Sequence, residues 1–190
     1  PDVMIPRPET ELLVELANER LPRHGSALDL GTGSGAVAVT LAHLRPDAKL
    51  TATDISAEAL QIAERNAARH QCKVILVRSD WYGQVNGIFD LIISNPPYIA
   101  ADDPHLMQGD LRFEPSGALT DHADGLKAIE SIITDAPKYL KPGGWLLLEH
   151  GYDQAASVRK LFDLSAWTDV GSWRDLAGIE RVSGARRPLT

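Results

Sequence analysis

At 190 residues the chain is long enough for one domain with a substantial core. Its formal charge of -7 argues against strong binding to bare nucleic acid, which needs clustered Lys and Arg. The single cysteine, Cys72, excludes an internal disulfide or a cysteine-based metal site and fits a reducing compartment. No apolar run approaches the roughly 20 residues that cross a bilayer, and the Pro-rich, charged opening has no signal-peptide pattern. A cytoplasmic protein with no membrane association is expected.

Pro1 to Pro8 lacks an initiator Met and reads as the trimmed edge of a longer protein, with 1–190 as its catalytic domain. Helix formers run from Glu9 to Leu21 with Leu12, Leu13, Leu16, Ala17 and Leu21 on one face. Ser26 to Leu30 is a short strand that enters Gly31-Thr32-Gly33-Ser34-Gly35, and Ala36 to Leu44 is helical. Leu50 to Thr53 is a second strand with Asp54 at its tip, and Ser56 caps an Ala-rich helix reaching about Arg69. Val74 to Val77 is a third strand, followed by Asp80-Trp81. The fourth is the apolar run Ile88 to Ser94, which delivers Asn95-Pro96-Pro97-Tyr98.

From Ala100 to Ala123 the pattern breaks into Pro, Gly, Asp and His, and a loop of that length is usually functional. A helix from about Gly125 to Leu140, a turn at Lys141 to Gly144 and a buried strand from Trp145 to Glu149 follow. A helix from about Gln154 to Leu164 leads to strands near Val170–Trp173 and Ile179–Val182, joined by a turn at Asp175 to Gly178. The alternation implies an α/β fold: a mostly parallel, doubly wound, seven-stranded Rossmann-like sheet ending in an antiparallel hairpin.

The glycine loop sits where the first strand turns into the first crossover helix, so its backbone can approach a ligand closely. Asp54 lies 23 residues beyond Gly31, where a carboxylate accepts hydrogen bonds from both ribose hydroxyls of an adenosine. Gly31, Gly33 and Ala36 also satisfy the dinucleotide spacing, so the pattern alone does not separate NAD from S-adenosyl-L-methionine. Three features select the methyl donor. Asp29, just ahead of the loop, suits the cationic amine and sulfonium but not a pyrophosphate. Asp80 and Trp81 follow the third strand, where the adenine would lie. The fourth strand carries Asn95 to Tyr98 to the same sheet edge, and a hydride-transfer enzyme has no use for that turn.

Two prolines in succession fix φ and remove two backbone donors, so the chain leaves the sheet rigidly. The Asn95 side-chain oxygen and a proline carbonyl can accept the two protons of a planar NH2 group while Tyr98 walls its flat face. A Pro-rich turn with a buried tyrosine explains the same four residues without chemistry, and they do not distinguish an amide from a nucleobase.

These residues resemble the catalytic domain of the HemK-type (PrmC) peptide-chain release factor glutamine methyltransferases. The matching segments are Ile5 to Glu11, Asp29 to Gly35, Asn95 to Ile99, Arg112 to Pro115 with Ala118-Leu119, Lys141 to Gly144, Leu148 to Gly151 and Asp175 to Arg181. Asn-Pro-Pro-Tyr is shared with adenine and ribosomal-protein methyltransferases. The opening Ile5 to Thr10 together with Asp103 to Leu106 and Arg112 to Pro115 is more specific. Family members usually carry an N-terminal helical domain, so this sequence is expected to be the catalytic part of a longer protein of that kind.

The resemblance implies methyl transfer to the glutamine of the Gly-Gly-Gln motif in class I release factors. Asn95, Pro96 and Tyr98 would be catalytic. Asp29, Gly31, Thr32, Gly33, Ser34, Gly35, Asp54, Asp80, Trp81 and Asn95 would bind cofactor. Asn95, Pro96, Pro97, Tyr98, Glu114 and Arg7 would bind substrate. Arg7, Glu9 and Thr10 are equally readable as caps and anchors of the first helix. A monomer with no metal, no strong embedded base, no covalent intermediate and no direct nucleic-acid partner is expected. His105, His122 and His150 lack ligand spacing and read as structural. The rivals are a ribosomal-protein glutamine methyltransferase, a DNA or RNA exocyclic-amine methyltransferase and a non-catalytic adenosine-binding module.

Overall fold

The computed structural model describes residues 10–98, 125–162 and 166–190. Its strands are β1 (Ser26–Leu30), β2 (Lys49–Asp54), β3 (Val74–Arg78), β4 (Phe89–Ser94), β5 (Leu140–Glu149), β6 (Thr168–Arg174) and β7 (Glu180–Arg186). They form one sheet in the order β3-β2-β1-β4-β5-β7-β6. The pairs from β3 through β5 are parallel, and β7 runs antiparallel to both neighbours. The helices are α1 (Thr10–Arg20), α2 (Ala36–Leu44), α3 (Ala57–Arg69), α4 (Lys127–Asp135) and α5 (Ala155–Leu161).

Burial on both faces explains the unbroken apolar runs of the central strands. In β4, Leu91 and Ile93 join a cluster with Leu13, Leu16 and Ala17 of α1 and Val37 and Leu41 of α2. The intervening Ile92 joins Ile129, Ile132 and Ile133 of α4 and Val158 of α5. Helices thus cover both sides of the sheet. Ser56 caps α3 as expected, its side chain accepting from the Ala59 amide at 3.1 Å.

Several boundaries differ from the sequence reading. The helix expected to reach Leu140 ends at Asp135 and tightens into a 3-10 turn at Ala136–Lys138. Pro137 supplies no amide donor to continue an α-helix. Lys141 to Gly144, expected to precede the next strand, lies within β5 as a bulge: Phe89 pairs with Leu140 but Leu91 with Trp145. Lys141 Nζ lies 2.7 Å from the Asp90 carboxylate, which also accepts from the Ser26 amide and hydroxyl. The bulge is therefore pinned at the amino end of the sheet. The late strands run longer than expected, and the last described helix stops at Leu161.

The strand ends align across the sheet. Val77, Thr53, Leu30, Ser94, Leu148, Ser183 and Ser172 occupy one register row. The next step along β1 and β4 places Gly31 beside Asn95.

Candidate active site

Strand order reverses between β1 and β4, the switch point where open α/β sheets take ligands outside the carboxyl ends of their strands. The buried Ser94 hydroxyl donates to the Leu30 carbonyl at 2.7 Å and ties the two strand exits together. From this point the glycine loop leaves on one side and the Asn-Pro-Pro-Tyr turn on the other.

Asp29 on β1 is only 1% exposed. The Thr32 hydroxyl donates to its carboxylate at 2.6 Å. Burial pushes this carboxyl from 3.8 up to about 7, against the Thr32 hydroxyl and the Ala38 backbone amide, with the Asp54 charge adding to the rise. A cation placed beside Asp29 would hold it ionised.

The loop is held by backbone contacts. The Thr32 amide donates to the Thr53 carbonyl at 2.8 Å, and the Gly33 amide donates to Asp54 Oδ2 at 2.9 Å. Asp54 Oδ1 accepts from the Ser56 amide at 2.9 Å. Each carboxylate oxygen has a second lone pair, so Asp54 keeps acceptor capacity for ribose hydroxyls. The Ser34 carbonyl accepts from Asn66 Nδ2 at 2.8 Å, which fastens the loop to α3. Gly33 and Gly35 both have positive φ but for different reasons. A Cβ on Gly33 would meet nothing within 4 Å, leaving a backbone cradle, whereas one on Gly35 would lie 3.0 Å from the Ala63 Cβ.

The Trp81 ring lies over Gly31, 3.4 Å from where a Cβ would stand. Asp80 beside it is exposed. Ile55, which follows Asp54, leaves an apolar side chain 63% exposed next to the carboxylate.

On the other side of β1, Pro96 is buried and Asn95, Pro97 and Tyr98 are half-buried. Asn95 Nδ2 lies 3.5 Å from the Thr10 hydroxyl at the start of α1. Among the described residues, Asn95 Oδ1 is buried without a hydrogen-bond partner, as is Thr53 Oγ1. Orphaned acceptors of this kind are rare in folded chains unless something binds them.

The structure therefore gathers Asp29, the glycine loop, Asp54, Trp81 and Asn95 to Tyr98 at one sheet edge. Asp80 stands next to Trp81 and is exposed. Arg7 and Glu114 lie outside the described residues, as do His105 and His122. His150 is fully buried, its Nδ1 donating to the Gly151 carbonyl and its Nε2 accepting from the Ser183 hydroxyl. That arrangement is structural, and burial lowers its pKa. Asn66, Ser94 and Ile55 were missed as site residues because each reads in sequence as an ordinary helix, strand or turn position. Thr10 was legible only through its motif.

A buried near-neutral carboxyl, an open backbone cradle, a strand-end carboxylate and an aromatic face fit a cationic nucleoside. With the sheet order, they define a Rossmann-like S-adenosylmethionine-dependent methyltransferase. The model of the methyltransferase small domain matches residues 8–110. A methyltransferase from Pyrococcus furiosus superposes with a TM-score of 0.74 at 21% identity, covering 99% of this chain and 86% of that one. A release factor glutamine methyltransferase from Burkholderia pseudomallei (strain K96243) is 54% identical over 198 residues, covering 99% of this chain and 70% of that protein. One from Escherichia coli (strain K12) is 47% identical over 189 residues, covering 98% and 68%. The chain belongs to the release factor glutamine methyltransferases. Among the described residues, no helix is long and apolar enough to cross a membrane, and no three His, Cys, Asp or Glu side chains are grouped to hold a metal.

Proposed function

We propose that this chain transfers the methyl group of S-adenosyl-L-methionine to the side-chain amide nitrogen of the glutamine in the Gly-Gly-Gln motif of a class I peptide-chain release factor. The observation that carries the reading is Asn95, whose buried Oδ1 has no partner among the described residues and which stands one strand from the glycine loop. The bound methyl donor supplies a sulfonium-activated methyl group. Asp29 would face its cationic end, Asp54 its ribose hydroxyls, the Gly33 cradle its backbone-facing edge, and Trp81 with Ile55 its base.

An amide nitrogen is a poor nucleophile because its lone pair is delocalised into the carbonyl. The chain's contribution is therefore placement. Asn95 Oδ1 and the Pro96 carbonyl accept the two amide protons, fixing the plane of the NH2 group, and Tyr98 walls it. Placement of this kind supplies much of an enzymatic rate. Two acceptors aimed at the nitrogen also favour the positive charge that develops there.

The same reading takes the chain as a cytoplasmic monomer with no direct nucleic-acid contact, in keeping with its charge of -7. The test is incubation with labelled methyl donor and purified release factor, wild type against Gln→Ala in the tripeptide. Label on the wild-type factor alone supports the assignment, and equal label on both defeats it.

A further inference from the structure

The Asn95 to Tyr98 turn has a mechanical problem. Pro96 and Pro97 carry no backbone donors, so the middle of the turn makes no N–H hydrogen bond of its own. Its entrance is held by the Ser94 hydroxyl on the Leu30 carbonyl. Its exit is held by a residue far along the chain. Gln154 Nε2 donates to the Tyr98 carbonyl at 2.9 Å and lies 3.4 Å from the Gly125 carbonyl. The other half of that amide is also engaged, Gln154 Oε1 accepting from the Gly151 amide at 2.8 Å.

Only a side chain with two N–H donors beside one acceptor meets all three groups. Two carbonyl oxygens converge on the NH2 end, and one amide faces the oxygen end. The anchor behind it is firm: the His150 amide donates to the Arg181 carbonyl of β7, and the His150 ring donates to the Gly151 carbonyl. Gly125 completes the arrangement. A Cβ there would collide with the Tyr98 carbonyl oxygen and stand 2.9 Å from Gln154 Nε2, so the two backbones pack directly.

We infer that Gln154 is a positioning residue for methyl transfer: it clamps the Tyr98 carbonyl, and with it the Asn95 to Tyr98 turn, to the exit of β5. The inference rests on the proposed role of that turn in holding the reactive amide. Among the described residues, the side-chain hydrogen bonds of Gln154 go to Tyr98, Gly125 and Gly151 and none to the glycine loop, so its loss should move the turn while leaving the donor site in place.

The test compares Gln154→Glu and Gln154→Ala with the wild type. Glutamate keeps the acceptor for Gly151 but turns a second acceptor toward two carbonyls, whereas alanine removes the clamp. Both should lower kcat with the release factor by about tenfold to a hundredfold, glutamate more than alanine. The calorimetric Kd and stoichiometry for S-adenosylhomocysteine should stay within roughly twofold of wild type. The Tyr98 carbonyl carbon resonance should shift in both variants. The inference falls if kcat is unchanged in both, or if it drops only in proportion to cofactor-binding stoichiometry, as mere loss of folded protein would produce. If the wild type methylates no release factor, the functional reading fails and the resonance decides alone: a shift upholds the clamp, and an unmoved Tyr98 carbon in Gln154→Ala overturns it.

Discussion

Replacing Asp29 by Asn should make the free protein more stable and the donor complex weaker, both in a pH-dependent way. Burial lifts the Asp29 carboxyl from 3.8 to about 7. Ionising it therefore costs the folded state roughly 4 kcal/mol more than the unfolded chain. The folded pKa is raised, so the stabilising contribution of this group is complete below 3.8 and is lost as pH rises through about 7. Asparagine has nearly the same shape and never ionises. It forfeits one of the hydrogen bonds accepted from Thr32 and Ala38, worth about 1 kcal/mol. The variant should then gain roughly 3 kcal/mol near pH 8 and close to nothing near pH 5. At about 2–4 °C per kcal/mol for a domain of this size, a Tm difference of several degrees should open between those two pH values. Thermal melts of both proteins without ligand measure it directly. A Tm difference that does not change with pH, or a variant less stable than wild type at the alkaline end, would refute the reasoning. In the same variant, calorimetric affinity for S-adenosylhomocysteine should fall, and the wild-type protein should release protons on binding it below pH 7.

Asn95→Ala should leave S-adenosylhomocysteine binding nearly intact while turnover on the release factor falls by about two orders of magnitude or more; isothermal calorimetry beside a methyl-transfer assay separates the two effects. Gly33→Ala and Gly35→Ala should part company although both glycines have positive φ. At Gly33 the added methyl meets open space, so stability should fall by only about 1–2 kcal/mol while the donor Kd rises sharply. At Gly35 it also presses on Ala63, so denaturant unfolding should show a loss of roughly 3 kcal/mol.

Much of the site was readable before any coordinates because its chemistry is carried by contiguous stretches. Gly31 to Gly35, Asp54 and Asn95 to Tyr98 each announce a backbone geometry or a functional group, and each stands at the carboxyl end of a strand. Glycines and prolines restrict the local backbone whatever surrounds them, so their meaning survives without the fold. The elements that shifted are those where neighbours decide. Lys141 to Gly144 carries every signal of a turn, yet becomes a bulge because Trp145 onward must pair with Leu91 while Leu140 pairs with Phe89. Asp80 follows β3 as expected and is exposed at the sheet edge beside Trp81, which leaves its carboxylate accessible.

The sequence by itself determined the alternation of strands and helices, the adenosine-type loop and the turn that suits a planar NH2 group, because periodicity and backbone restriction are local properties. Only the tertiary structure decided that β7 inserts between β5 and β6, that Asp29 is buried deeply enough to titrate near neutrality, and that Gln154 grips the Tyr98 carbonyl from 56 residues away. Those depend on strand order and on desolvation by many residues at once, and neither is written in any short stretch of chain. The Asn-Pro-Pro-Tyr turn shows both halves: its chemistry is local, and what holds it in place is not.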